Sequence, residues 1–133
     1  MYTLNTLSLI LVLLCHQSAL ATADLVPRAS SLIDGCTVLN DPSTPSDTLI
    51  ASCLAPDGST KVSSLDLNNC LGNNNGNLVC GNHFSSTCGN LFFEAGTSIV
   101  QGVCKAKNQS IVNTMIDISN CVGNNAGIVV CKN

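Results

Sequence analysis

Leu65-Asp66-Leu67-Asn68-Asn69-Cys70-Leu71-Gly72-Asn73-Asn74-Asn75-Gly76-Asn77-Leu78-Val79-Cys80 is written a second time at the end of the chain, from Ile116 to Cys131. Asp66 answers Asp117, Cys70 answers Cys121, Gly72 and Asn73 answer Gly123 and Asn124, Gly76 answers Gly127, and Cys80 answers Cys131, at a constant spacing of 51. Upstream, Cys53 answers Cys104 at 51 and Cys36 answers Cys88 at 52. One unit is thus written twice, and two copies are too few for a solenoid. They predict one pseudo-symmetric domain in which any function carried by the repeat is present once per half.

Within the quoted stretch, Leu65 and Leu67 alternate around Asp66, as Ile116 and Ile118 do around Asp117, so Val62 to Leu67 and Ile111 to Ile118 read as half-buried strands. The two aspartates read as structural hydrogen-bond acceptors rather than as a catalytic pair. Leu71 to Val79 reads as a hairpin, because Asn73-Asn74-Asn75-Gly76-Asn77 tolerates the positive φ of a tight turn. Leu49 to Cys53 and Val100 to Cys104 fit short strands by their period of two. Asp41 to Asp47, with two prolines, is a surface loop, and Ala55-Pro56-Asp57-Gly58-Ser59 is a turn. No amphipathic helix of three turns is written anywhere, so the fold class is all-β.

Residues 1–23 read as a secretory signal peptide: an apolar run from Leu7 to Leu14, too short for a bilayer, is followed by Ala19, Ala21 and Ala23. A membrane anchor is the alternative, opposed by His16 and Gln17. Residues 24–29 read as a loose segment and 30–133 as a single domain, with repeat one at 30–81 and repeat two at 82–133. Removing the leader takes Cys15 and leaves eight of the nine cysteines, an even number in an extracellular chain. Disulfides are favoured over zinc, since no C-x-x-C occurs and His83 is the one histidine after the leader. No metal or cofactor is expected.

With Phe84, Phe92 and Phe93 as the aromatics after the leader, the core must be aliphatic and modest, which makes the bridges important for stability. The net charge of −3, with only Arg28, Lys61, Lys105, Lys107 and Lys132 basic, argues against nucleic acid and anionic membrane surfaces as partners.

The order of elements resembles the cyanovirin-N family over about Ser30 to Asn133: a cysteine, the Leu49-Ile50-Ala51-Ser52-Cys53 strand, a polar turn, Ser64 to Asn68, the Asn-rich Gly turn, then Asn82-His83-Phe84. The resemblance implies two repeats that exchange segments, each half a three-stranded sheet with a hairpin from the other repeat. It implies a secreted or cytosolic protein that binds mannose-rich glycans without altering them; with the leader read above, a secreted member of the family points to a fungal source. It also implies bridges between Cys36 and Cys53 and between Cys88 and Cys104. Cys70, Cys80, Cys121 and Cys131 are additions to the family pattern; they are expected to pair within their hairpins, Cys70 with Cys80 and Cys121 with Cys131, with Cys70–Cys131 or Cys80–Cys121 left open.

Carried over from the family, a first sugar pocket would use Asp34, Gly35, Asp57, Gly123, Asn124 and Asn125. A second, richer in hydrogen-bonding groups and favoured for binding, would use Gly72, Asn73, Asn74, Asn75, Asn82, His83, Ser85, Ser86, Lys105 and Lys107. Asn offers a donor and an acceptor on one short side chain, which suits sugar hydroxyls. The same asparagines also suit a turn with no ligand. With no Trp or Tyr after the leader, little is available to stack on a sugar face. Asn108-Gln109-Ser110 is an N-glycosylation acceptor at the edge of the second pocket. Catalysis is not expected, because the chain offers no second carboxylate across a cleft and no nucleophile beside its lone histidine. The alternative to a lectin is a secreted, cysteine-rich module that keeps the fold and binds a protein. A monomer and a segment-swapped dimer are both open.

Overall fold

Period-two patterning in each repeat becomes a three-stranded antiparallel sheet followed by a hairpin. A computed structural model describes residues 33–132; the expected leader, the loose segment 24–29 and residues 30–32 lie outside them. Repeat one forms β1 (Cys36–Val38), β2 (Thr48–Leu54) and β3 (Thr60–Asp66), then the hairpin of β4 (Leu71–Asn74) and β5 (Asn77–Cys80). Repeat two forms β6 (Cys88–Phe93), β7 (Ile99–Lys105) and β8 (Ile111–Asp117), then the hairpin of β9 (Val122–Asn125) and β10 (Ile128–Cys131). The chain is all-β, its only helical pieces among the described residues being single 3-10 turns.

The strands end one residue earlier than their hydrophobic pattern suggests. Leu67 and Ile118, expected as strand residues, instead open 3-10 turns at Leu67–Asn69 and Ile118–Asn120, and both side chains are fully buried. Asp66 causes the change in repeat one by accepting the Asn68 N–H at 2.9 Å; Asp117 does the same for the Ser119 N–H at 3.0 Å. The repeated aspartates are therefore caps that turn the chain out of the sheet and into its hairpin.

Each hairpin docks on the sheet of the other repeat. The Leu78 N–H donates to Thr114 Oγ1 of β8 at 3.1 Å, and the Val129 N–H donates to Ser63 Oγ of β3 at 3.0 Å. Gly76, at φ +92°, is the pivot of the first turn: a Cβ there would lie 2.7 Å from Val112 Cγ2, so only glycine allows both the backbone angle and the contact. The exchange produces one core, in which Ile33, Leu49, Leu67 and Leu71 of repeat one pack with Phe84, Leu91, Val100 and Ile118 of repeat two. Phe84, completely buried, and Phe93 supply the largest side chains of that core.

Among the described residues, four disulfides close the structure. Cys36 bridges Cys53 and Cys88 bridges Cys104, each between strands paired in register within a sheet. The other four cysteines correct the sequence expectation: Cys70 pairs with Cys131 and Cys80 with Cys121, not Cys70 with Cys80 or Cys121 with Cys131. The reason is register. Cys80 lies opposite Leu71, while Cys70 accepts the Gly81 N–H at 2.9 Å, so the two cysteines of one hairpin are a residue out of step. Side chains alternate faces along a strand, so a one-residue offset turns these two away from each other. Cys131 lies opposite Val122 for the same reason. Each sulfur instead meets its partner from the other hairpin, with Cα atoms 5.2 Å apart in both bridges.

Candidate functional site

Hairpin exchange leaves one cleft per half, each between a hairpin tip and the turn that follows the central strand of the opposite repeat. The second cleft, about 260 Å³, is lined by Asn73, Asn75, Thr87, Lys105, Ala106, Lys107 and Gln109. The first, about 320 Å³ and more open, is lined by Asp34, Gly35, Leu54, Ala55, Pro56, Asn124 and Ala126.

Asn73 is the latch of the second cleft. Its amide nitrogen donates to Thr87 Oγ1 at 2.7 Å and to the Lys105 carbonyl at 2.8 Å, while its Oδ1 accepts the Gly76 N–H at 2.7 Å. Asn124 repeats this in the first cleft, donating to the carbonyls of Asp34 at 3.0 Å and Leu54 at 2.8 Å and accepting the Gly127 N–H at 2.8 Å. Both amides have spent their donors on holding hairpin to sheet, so neither N–H is left for a ligand.

The symmetry fails one residue further along each hairpin. Asn75, at φ +52°, accepts the Lys107 N–H on its Oδ1 at 3.0 Å, which ties the hairpin tip across the second cleft. In the first cleft Ala126, at φ +51°, stands where Asn75 stands, and Pro56 stands where Lys107 stands. Acceptor and donor are both missing there, so that tie cannot form. What the first cleft has instead is an ion pair at its rim: Lys132 Nζ lies 2.9 Å from Asp34 Oδ2 and also donates to the Ser119 carbonyl at 2.9 Å. Among the described residues, the second cleft is lined by two lysines and no carboxylate, and the Gln109 side chain faces it with no hydrogen bond of its own.

Of the residues singled out from sequence for the second pocket, Asn73, Asn75, Lys105 and Lys107 line the cleft. Gly72 does not line it; it is buried against Asn82, where a Cβ would stand 3.2 Å from the carbonyl. Asn74 is at the exposed end of β4, opposite Asn77. Asn82, His83, Ser85 and Ser86 do not line it; they gather around the 3-10 turn Phe84–Ser86. There His83 Nδ1 contacts Asn82 Oδ1 at 2.8 Å, Ser85 Oγ donates to Asn68 Oδ1 at 2.7 Å, and Ser86 Oγ donates to the His83 carbonyl at 2.9 Å. For the first pocket, Asp34, Gly35 and Asn124 line the cleft, whereas Asp57, Gly123 and Asn125 do not. Asp57 is occupied by its own turn, and the Ser59 hydroxyl and N–H bound to it hold its carboxyl below the usual range.

Thr87 and Gln109 were not identified from sequence. A signal existed for Gln109: it occupies φ +71° where repeat one has Gly58 at φ +84°, so a side chain is kept at a position better suited to glycine. A further depression, about 300 Å³, lies on the outer face of β6, β7 and β8, lined by Asn90, Phe92, Gln101, Gly102, Val103, Asn113, Thr114 and Met115. It was also missed, because it depends on the register shift between Gly89 and Phe92 that leaves Phe92 39% exposed beside Met115 at 65%.

A family model described as the CVNH domain matches residues 35–130. No curated protein matches the chain. Among solved structures, the CVNH of T. borchii is 28% identical, with a TM-score of 0.57 over 78% of this chain and 98% of that one. A microvirin–mannobiose complex is 26% identical, with a TM-score of 0.55 over 73% of this chain and 94% of that one. A designed cyanovirin-N homolog lectin is 25% identical, with a TM-score of 0.60 over 71% of this chain and 94% of that one.

Proposed function

The chain belongs to the cyanovirin-N family through its CVNH domain, and from that premise we propose that it is a secreted lectin that binds mannose-type oligosaccharides through its second cleft and leaves them unaltered. The observation that carries this reading is the composition of that cleft. Lys105, Lys107 and Gln109 present cationic and amide donors, while Asn73 and Asn75 have fixed the walls through their own hydrogen bonds. Preorganised walls with free donors between them suit a polyhydroxylated ligand, because no latch has to be broken on binding. The microvirin relative supports the mannose assignment, its complex being with mannobiose. The first cleft is the weaker site by the same chemistry, since Leu54, Pro56 and Ala126 contribute little hydrogen bonding and Asp34 is engaged by Lys132.

The bound form is a monomer in this reading, its two bridges between hairpins closing the exchange within one chain. A glycan array on the oxidised protein tests the proposal, with Lys107→Ala and Gln109→Ala as variants that spare the Asn73 latch. Signal on mannose-terminated glycans that is competed by free oligomannose and lost in the variants supports it. A second reading, a protein-binding module, draws on the exposed Phe92 and Met115 of the outer sheet face. Absence of array signal from folded protein would favour that reading.

A further inference from the structure

The two turns that flank the clefts are built alike and written differently. In repeat two, the Ala106 N–H donates to the Ser110 carbonyl at 2.9 Å, and Asn108 Oδ1 accepts the Ser110 N–H at 3.0 Å and the Ser110 hydroxyl at 2.6 Å. In repeat one, the Ala55 N–H donates to the Ser59 carbonyl at 2.8 Å, and Asp57 Oδ1 accepts the Ser59 N–H at 2.9 Å and its hydroxyl at 2.6 Å. The turn needs one oxygen at its second polar position, and aspartate supplies it as well as asparagine does. The amide nitrogen of Asn108 is therefore not required by the fold. It makes no hydrogen bond among the described residues, and Asn108 and both of its neighbours are exposed. Only in repeat two does this side chain, together with Ser110, complete an N-x-S acceptor. Its two neighbours, Lys107 and Gln109, both line the second cleft. Consecutive Cα atoms are about 3.8 Å apart, so a group attached at Asn108 is rooted on the lip of that cleft.

We propose that Asn108 is N-glycosylated and that the attached glycan roofs the second cleft, so that glycosylated and bare forms of the protein differ in access to it. In the attachment step, Nδ2 loses a proton to a base of the transferase and forms a C–N bond to the anomeric carbon of an oligosaccharide carried on a lipid pyrophosphate. The C–O bond to that carrier breaks and the pyrophosphate leaves with its electron pair. The step requires passage through a secretory compartment, the expectation carried by residues 1–23. The claim of a roof stands on geometry, and its effect on ligands rests on the lectin reading above.

The test is to express the full chain in a eukaryotic secretory host and compare the purified glycoform with the same material after an amidase has removed the glycan. That enzyme leaves aspartate at 108, the residue that repeat one already carries at 57, so the turn is preserved. Intact mass reports occupancy, and the rate of acylation of the Lys107 amine, referenced to Lys61, reports cover without any need for sugar binding. The expected result is a glycan at Asn108, a Lys107 rate lowered several-fold in the glycoform, and recovery after treatment to the rate of Asn108→Asp. An unmodified Asn108, or equal Lys107 rates in the two forms, overturns the proposal. Glycan-array binding measured on the same samples separates the two claims: no binding by either form refutes the lectin reading, while the Lys107 rates still decide the roof.

Discussion

Removing the bridge between Cys70 and Cys131 by double substitution to serine tests both the cross-linking and the register argument behind it. In the chain-entropy account, with the bridge between Cys80 and Cys121 intact, the Cys70–Cys131 bridge closes a loop of about 20 residues, 70–80 joined to 121–131, and restricts the denatured chain by about 3.3 kcal/mol, against about 2.7 kcal/mol for a link across a ten-residue hairpin. For a domain of this size each kcal/mol moves the thermal midpoint by about 4–8 °C, so Cys70→Ser with Cys131→Ser should lower it by roughly 13–26 °C. Thermal unfolding by circular dichroism at fixed pH, without reductant, measures the shift. Alkylation mapped by mass spectrometry supplies the sharper arm. With the bridges as described, this pair of substitutions leaves no alkylatable thiol between residues 36 and 131. By contrast, Cys70→Ser with Cys80→Ser strands Cys121 and Cys131, which face away from each other, as two free thiols. If pairing were within hairpins the two outcomes would be reversed. Free Cys80 and Cys121 in the first variant, or a fully bridged second variant, would refute the reasoning from register.

Three further perturbations follow from the geometry. Gly76→Ala forces a side chain into φ +92° and to 2.7 Å from Val112 Cγ2, and is expected to cost about 2–5 kcal/mol from strain and overpacking together, read as a lower denaturation midpoint. Gln109→Gly relieves a positive-φ strain of about 1 kcal/mol and adds a similar entropy to the unfolded chain, so stability should stay nearly level while glycan binding by the second cleft falls; a large loss of stability would mean that Gln109 holds the fold. Asp117 is held below the ordinary aspartate range by hydrogen bonds from Ser119 and then from Ser98, whose Oγ lies 2.5 Å away, with desolvation opposing. A carboxylate depressed in the folded state stabilises it above the unfolded pKa and loses that contribution as pH falls through the folded one. Stability should therefore decline on acidification below about pH 4, and Asp117→Asn should flatten part of that decline in urea titrations at stepped pH; an unchanged pH slope would show that the carboxylate is not linked to folding.

The boundary error at the sheet ends shows how far local patterning reaches. Leu65 and Leu67 alternate as in a strand, yet Leu67 is buried from a 3-10 turn, because Asp66 caps that turn and redirects the chain before the period can continue. The asparagines carry a related lesson. From sequence, each of Asn73 and Asn75 suited a turn better than a ligand; in the folded chain Asn73 has both amide hydrogens committed, while Asn75 ties the cleft through its oxygen alone. Gln109 was passed over because its equivalence to Gly58 across the repeat gains meaning only from the positive φ that both adopt in the folded chain. Phe92 was counted as scarce core material and emerges at the surface through a register shift in β6.

The amino-acid sequence by itself determined the repeat, the all-β class, the Asn-rich Gly turn of the first hairpin and its copy in the second, and the eight cysteines that recur between the repeats, because alternation, positive-φ tolerance and residue spacing act within a few residues of chain. Tertiary structure decided which sulfurs meet and which side chains remain free to meet a ligand. Those outcomes depend on facing across strands and between repeats, where an offset of one residue sends a side chain to the opposite face. Cys70 and Cys80 are ten apart in a symmetric hairpin and still bond elsewhere, because Cys80 is paired with Leu71 and the sulfurs that come within reach belong to the other hairpin.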